Sequence, residues 1–286
     1  MYISAPVATD AFTPMKKVKV LNVPFDACTK EEALERILDC LYNRGHEGGK
    51  QIITPNPEML LEASHNPHFL EALNSAWLSI PDGIGILWAS TVQAISKGSS
   101  QKIRMLKAFF ALLTLVIYPP FCRKVFPERI TGIDLMKSIC SVSRRSKTPI
   151  FLLGAQQGVA VKTKEALEEK YPGINIVGTF PGTPFFDDFP RIQSLIAETR
   201  PEIIFVAYGF PSQELWIARH LRELRSVKIA MGVGGSFDFI AGIHKRAPNW
   251  MQKLGIEWLY RLIQEPARIK RIWNATVRFP LHFLRS

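Results

Sequence analysis

Cysteine is scarce in this chain of 286 residues: Cys28, Cys40, Cys122 and Cys140 stand apart, with no CxxC pair and no histidine cluster beside them. That spacing argues against a zinc site or a disulfide framework and reads as structural thiols in a reducing compartment. Long apolar runs are also missing. Met1 to Lys19 has no apolar run, and its lysines follow the mild hydrophobics, so no secretory signal is expected there. Ala108 to Cys122 carries no charge, but fifteen residues of helix rise only about 22 Å, against a hydrocarbon core of ~30 Å. Tyr118-Pro119-Pro120 breaks any helix there as well, which argues against a spanning segment. The chain has no complete G-x-G-x-x-G and no Walker lysine, so a nicotinamide-dependent oxidoreductase or an ATPase is poorly supported. No recognised nucleic-acid module appears either.

What is present is ample apolar material, 47% of residues, and a net charge of +11. The charge is concentrated. His244 to Ser286 holds nine Lys/Arg against two Glu, and Lys97 to Arg129 holds seven against one, leaving the remainder slightly acidic. A localised basic surface calls for anionic partners such as phosphates or lipid headgroups.

The stretch around which the chain is organised is Leu78-Ser79-Ile80-Pro81-Asp82-Gly83-Ile84-Gly85. The run Trp77–Ile80 reads as a buried strand that stops at Pro81. Asp82 then sits at a strand end, followed by glycines that let a ligand or another backbone come close. In an open α/β sheet ligands bind outside such ends, although an Asp before a helix also serves as a cap. Earlier in the chain, Lys19–Phe25 reads as a first strand, and Thr29 with Glu32 as a capping box opening a helix through Leu41. Gln51–Thr54 is a second strand broken by Pro55-Asn56-Pro57. Thr54 and Asn56 therefore sit at another strand end, either as caps or as uncharged hydrogen-bonding groups.

Beyond residue 148 the pattern becomes regular. Strands over Pro149–Leu153, Ile174–Thr179, Ile203–Tyr208 and Val227–Val233 alternate with helices over Val159–Lys170 and Arg191–Thr199. This spacing predicts an α/β fold, a doubly wound and mostly parallel Rossmann-like sheet over residues 18–243. Its glycine-rich ends, Gly154-Ala155-Gln156-Gln157-Gly158, Gly209-Phe210-Pro211-Ser212-Gln213-Glu214 and Gly234-Gly235-Ser236-Phe237-Asp238, are of the kind that aims backbone N–H groups at an anion. Residues 244–286 read as a C-terminal basic helical appendage, expected to be membrane-associating. There Trp250, Leu254, Trp258, Leu259, Leu262 and Ile263 recur at helical spacing. Arg261, Arg268 and Arg271 are close enough to converge on one anion or to form a solvated face. The uncharged stretch inside an insertion at about 97–125, flanked by Lys102, Arg104 and Lys107 before and Arg123 and Lys124 after, is either a monotopic membrane element or a core helix.

Taken in order, Thr54-Pro55-Asn56-Pro57-Glu58, Pro81-Asp82-Gly83, Glu128-Arg129-Ile130-Thr131-Gly132, Gly209 to Glu214, Gly234 to Asp238, Lys245-Arg246-Ala247-Pro248 and Glu257-Trp258-Leu259-Tyr260-Arg261 resemble the WecG/TagA/CpsF glycosyltransferases, glycosyltransferase family 26, over about residues 18 to 275. The resemblance implies inverting transfer of a hexose or N-acetylhexosamine-type sugar from a UDP-sugar to a polyprenyl-diphosphate-linked saccharide in cell-surface polysaccharide assembly. It places the protein in the cytoplasm, peripheral on the inner face of the cell membrane, and implies no metal and no cofactor beyond the donor. UDP-N-acetylmannosamine, its uronic acid and UDP-glucose are candidate donors. By position, Asp82 would be the general base, Thr54 and Asn56 would hold the sugar or the base, Arg129 would neutralise the leaving diphosphate and Gln213 would contact the donor. Gly83, Gly154, Gly209, Glu214, Gly234, Gly235, Phe237 and Asp238 would line the substrate site, and Arg261, Arg268 and Arg271 would close over the donor phosphates. Independently, loss of UDP without a metal needs fixed cations; no D-x-D motif stands near a strand end, and Asp187-Asp188, in a loop, lacks the spacing. The segment between Pro81-Asp82-Gly83 and Arg129 is longer than the family's, so a second membrane contact is expected there. Expected partners are thus the UDP-sugar, the lipid-linked saccharide and an anionic membrane surface, not nucleic acid, with a homo-oligomer left open. The alternative is a non-catalytic nucleotide- or lipid-binding scaffold at the membrane.

Overall fold

The computed structural model describes residues 15–42, 48–185 and 188–286; most of the expected leader and Asp187 lie outside them. Lys17–Val20 (β1) and Val23–Asp26 (β2) pair antiparallel as a separate two-stranded sheet. The expected single strand from Lys19 is interrupted because Leu21 and Asn22 both take positive φ, 48° and 67°, the signature of a tight hairpin turn. Lys30–Tyr42 (α1) follows, and Thr29 and Glu32 cap it reciprocally, at 2.7 and 3.2 Å.

Six strands make the main sheet: Lys50–Ile53 (β3), Leu78–Ser79 (β4), Ile150–Gly154 (β5), Ile176–Phe180 (β6), Ile203–Ala207 (β7) and Ile229–Gly232 (β8). Their order is β4-β3-β8-β7-β5-β6, every pair parallel. All residues of β5, β7 and β8 are buried, as strands covered on both faces must be. Side-chain alternation divides them between two cores. Leu152, Ile203 and Phe205 pack with α1, Gly132–Ser146 (α6) and Val159–Lys170 (α7). Phe151, Ile204 and Val206 pack with Phe189–Thr199 (α8) and Ser212–His220 (α9). The doubly wound expectation is met.

A third core joins the hairpin, Pro57–Ala63 (α2), Pro67–Asn74 (α3), Ile84–Ile95 (α4) and Gln101–Ile117 (α5). α3 was not foreseen, although Asn66 caps it and Pro67 opens it. All four cysteines are free and buried, and burial pushes the thiols of Cys28 and Cys140 up to about 12. Among the described residues no helix is long and apolar enough to cross a membrane.

After Ser236–Ile240 (α10), the tail runs through Asn249–Leu254 (α11), Glu257–Gln264 (α12), Ile269–Trp273 (α13), a π-helical turn and Phe279–Arg285 (α14). It is anchored unevenly. α12 buries no residue, whereas Phe279 and Phe283 of α14 are fully buried in the third core. At roughly 1.5–3 kcal/mol for each buried side chain of this size, α14 holds the end of the tail to the domain.

Candidate active site

Because the sheet is parallel, Thr54, Asp82, Gly154, Gly209 and Gly234 all fall at its C-terminal edge. The chain builds β3 and β4, crosses to β5 and β6, and returns through β7 to set β8 beside β3. That reversal opens a crevice between the two groups of strand ends.

Asp82 is held by main chain. Its N–H donates to Pro55 O at 3.0 Å, and Gly132 N–H donates to its Oδ2 at 3.4 Å. Gly132 is the first residue of α6, so the carboxyl sits at a helix N-terminus. β4, which delivers it, is tied to the hairpin by Ser79 N–H donating to buried Asp26 Oδ2 at 2.9 Å. Thr54 Oγ1 lies 2.9 Å from where a Cβ on Gly132 would stand. A Cβ there would force Thr54 to shift, so glycine lets Thr54, Gly132 and Asp82 come together. Desolvation pushes the Asp82 carboxyl up to about 6, against the opposing pull of Arg129 and the Gly132 hydrogen bond, with Glu257 and Asp134 adding to the rise. The side chain keeps part of its surface open. It is neither sealed in the core nor fully solvated, which suits a base.

Arg129 is carried to this group despite the long preceding segment, and its Nη2 donates to Gln252 O at 2.6 Å. Asn56 does cap α2, accepting from Met59 N–H at 3.0 Å. Gln213 lies behind the turns. Its Oε1 accepts from Gly209 N–H (3.1 Å) and Gly234 N–H (2.9 Å), and its Nε2 donates to Glu214 Oε1 (2.7 Å). It fixes the glycine turns after β7 and β8 relative to one another. Glu214 is buried with Oε2 unpartnered, and desolvation pushes its carboxyl up to about 7; it supports Gln213 from below.

Phe237 corrects the expectation placed on it. Its ring is fully buried among Val159 and Ala160 in the first core, so it is a packing residue. Gly154, at φ 98°, is required by close approach: a Cβ would stand 2.9 Å from the Ala207 carbonyl carbon. Gly83 opens α4 at φ 102°, and the turn of Gly235 and Asp238 meets the tail, with Arg261 Nη2 only 3.6 Å from a Cβ on Gly235.

The three tail arginines do not meet on one group but pair with two carboxylates. Arg261 and Arg268 reach Glu265 at 3.7 and 2.5 Å, and Arg271 reaches Glu58 at 3.0 Å. Arg261 stacks on Phe239 and Arg271 on Phe210, with the guanidinium carbons 4.7 and 5.3 Å from the ring centres. Burial first, then Arg268 and Arg271, hold Arg261 below the usual guanidinium range, and its Nε is buried with no acceptor among the described residues. Such a group favours an incoming anion.

Sequence reasoning missed the connection between the two walls. Arg246 grips Asp134 with both terminal nitrogens, at 2.5 and 2.9 Å, and its Nε reaches Glu257 at 3.4 Å. Arg246, Glu257 and Glu58 were each inside a recognised motif, while Asp134 was signalled only by the Thr131 cap it accompanies. Among the described residues no three His, Cys, Asp or Glu side chains stand close enough to share a metal ion.

Comparison with known proteins shows the family to which the chain is similar. The family model described as glycosyl transferase, WecG/TagA/CpsF family, matches residues 18–118 and 113–286. Proteins of Bacillus spizizenii and Bacillus subtilis named N-acetylglucosaminyldiphosphoundecaprenol N-acetyl-beta-D-mannosaminyltransferase are 33% and 32% identical over 224 residues, 78% of this chain and 75% of theirs. A protein of the same name from Staphylococcus aureus is 32% identical over 256 residues, 90% of this chain and 88% of its own.

Proposed function

Since the chain belongs to the WecG/TagA/CpsF family of glycosyltransferases, we propose that it transfers a hexose or N-acetylhexosamine-type sugar from a UDP-sugar to a polyprenyl-diphosphate-linked saccharide, with inversion. The relatives' name specifies an N-acetylmannosaminyl group and an N-acetylglucosaminyl-diphospho-undecaprenol acceptor; the same acceptor class is taken for this chain. The observation that carries the reading is the placement of Asp82 at a strand end of the parallel sheet, its carboxyl accepting from the α6 N-terminus and drawn by the nearby Arg129 charge.

The chemistry is a single displacement. Asp82 accepts the proton of the acceptor hydroxyl as its oxygen bonds to the anomeric carbon, and the bond from that carbon to the UDP oxygen breaks on the opposite face. UDP departs with the electron pair. Arg129 and the tail arginines neutralise the charge it gains, and the glycine turns after β5, β7 and β8, with the Gly209 and Gly234 N–H groups committed to Gln213, leave the nucleotide room at the strand ends. Gln213 acts by holding two of those turns. The acceptor's lipid requires the crevice to face a membrane, and the basic, apolar tail supplies a contact peripheral on the inner face.

The test is UDP release and product formation with a lipid-diphosphate saccharide acceptor across a panel of UDP-sugars, comparing wild type with Asp82→Asn. Loss of turnover in the variant and a product of inverted anomeric configuration by NMR are expected. Equal rates would remove Asp82 as base, and no turnover with any donor would leave the scaffold alternative.

A further inference from the structure

α5 is apolar almost all round, yet only a narrow seam of it is covered. Ala108, Ala111 and Leu115 are buried against the domain. On the opposite face Met105, Leu106, Phe109, Leu112 and Leu113 are exposed, Leu106 at 69% and Phe109 at 60%. Two expected headgroup contacts turn inward instead. Lys107 Nζ donates to Ile95 O and Ser99 Oγ, at 2.6 and 2.9 Å, and Arg104 Nη2 donates to Phe283 O at 2.7 Å. These bonds fix α5 to α4 and α14, so the exposed stripe is presented rigidly. Lys97, Lys102, Arg123 and Lys124 remain exposed around it, and no Asp or Glu occurs from Gly83 to Pro127.

We propose that this face is a lipid-docking platform, distinct from the tail, that seats in the interface of an anionic bilayer. A fixed apolar stripe in a segment whose only charges are cationic complements anionic headgroups over an acyl boundary, whereas a second copy would set like charges against each other. The covered seam of α5 packs close to the site: Leu115 and Arg123 line the same narrow cavity, about 20 Å³, as Arg129 and Leu254. Docking here holds the domain, and with it the Arg129 side of the site, at the bilayer that carries a lipid-linked acceptor. The benefit to lipid-linked transfer rests on the proposed reaction; the docking itself does not.

The test uses the full chain, vesicles of phosphatidylglycerol with phosphatidylcholine, vesicles of phosphatidylcholine alone, and the triple variant Leu106→Ser, Phe109→Ser, Leu113→Ser. These side chains are exposed, and circular dichroism and the melting temperature check folding. The variant is expected to lose roughly tenfold or more in partitioning to anionic vesicles, to show a raised KM for a vesicle-embedded acceptor, and to retain kcat with a short-chain soluble one. To read the platform apart from the tail, Leu106→Cys carrying an environment-sensitive fluorophore is expected to shift to the blue and resist an aqueous quencher on anionic vesicles only. Unchanged emission, unchanged partitioning of the triple variant, or a wild-type dimer that the variant dissociates without loss of vesicle binding would overturn the proposal. Absence of transfer by wild type to either acceptor would remove the proposed reaction and leave the fluorescence result to decide the docking.

Discussion

The two walls of the crevice are built in opposite ways. On one, Asp82, Thr54 and Gly132 belong to strand ends and a helix start, and main-chain bonds from Pro55 and Gly132 fix the carboxyl. On the other, the arginines sit on α12 and the turns after it, where no residue is buried, and they are held by carboxylates at 2.5 to 3.7 Å. The proposed base is thus positioned by the fold, while the proposed anion clamp is positioned by ion pairs that a diphosphate would replace. A wall with few buried contacts opens at lower free energy than one inside the sheet, which suits a clamp that must admit the donor and release UDP.

The largest effect that sharpens this contrast is loss of the base. Asp82→Asn should lower kcat by on the order of 10²–10⁴-fold with the donor Kd little changed, read by single-turnover kinetics and calorimetry. Next, Arg261→Ala should lower kcat/KM by roughly 10²-fold and weaken UDP binding, because its buried Nε has no acceptor among the described residues. A clamp variant that leaves UDP affinity intact would break the comparison. Arg246→Ala, which frees the tail from Asp134 and Glu257, should cost about 1 kcal/mol, since Asp134 is partly exposed and its pair screened. It should raise KM for the donor more than it lowers kcat.

Stability offers a smaller, signed test. The Asp82 carboxyl rises from 3.8 to about 6 on folding, so the folded chain binds that proton more tightly than the unfolded chain. The resulting stability is complete below about pH 4 and is lost as pH rises through about 6. Asp82→Asn should therefore melt higher than wild type at pH 7.5, by up to roughly 3 kcal/mol, with no gain at pH 4. The smallest effect expected is in hydrogen exchange, with α12 amides exchanging faster than those of β7 and slowing when UDP is bound.

Much of the first wall was legible in the chain, because strands buried on both faces read as apolar runs, and the turn chemistry after each marks where ligands gather. β5, β7 and the ends carrying Thr54, Asp82 and Gly209 fall where the sequence places them. The hairpin at Leu21-Asn22 was not legible, since neither residue is a glycine. Phe237 was misread because a motif position does not tell which way a ring faces. The Arg246–Asp134 grip joins residues 112 apart, and no local pattern encodes that pairing. Neither does a pattern show which side of α5 is covered; its composition alone fits a core helix and an interfacial one equally well.

The most direct test of the central claim is the pH dependence of kcat/KM for transfer, measured on wild type and Asp82→Asn. With Asp82 as base, the wild-type rate should fall about tenfold per unit below pH ~6, and the variant should lose both the rate and that acidic limb. A wild-type profile flat through pH 6, or a variant that keeps the limb, would contradict it.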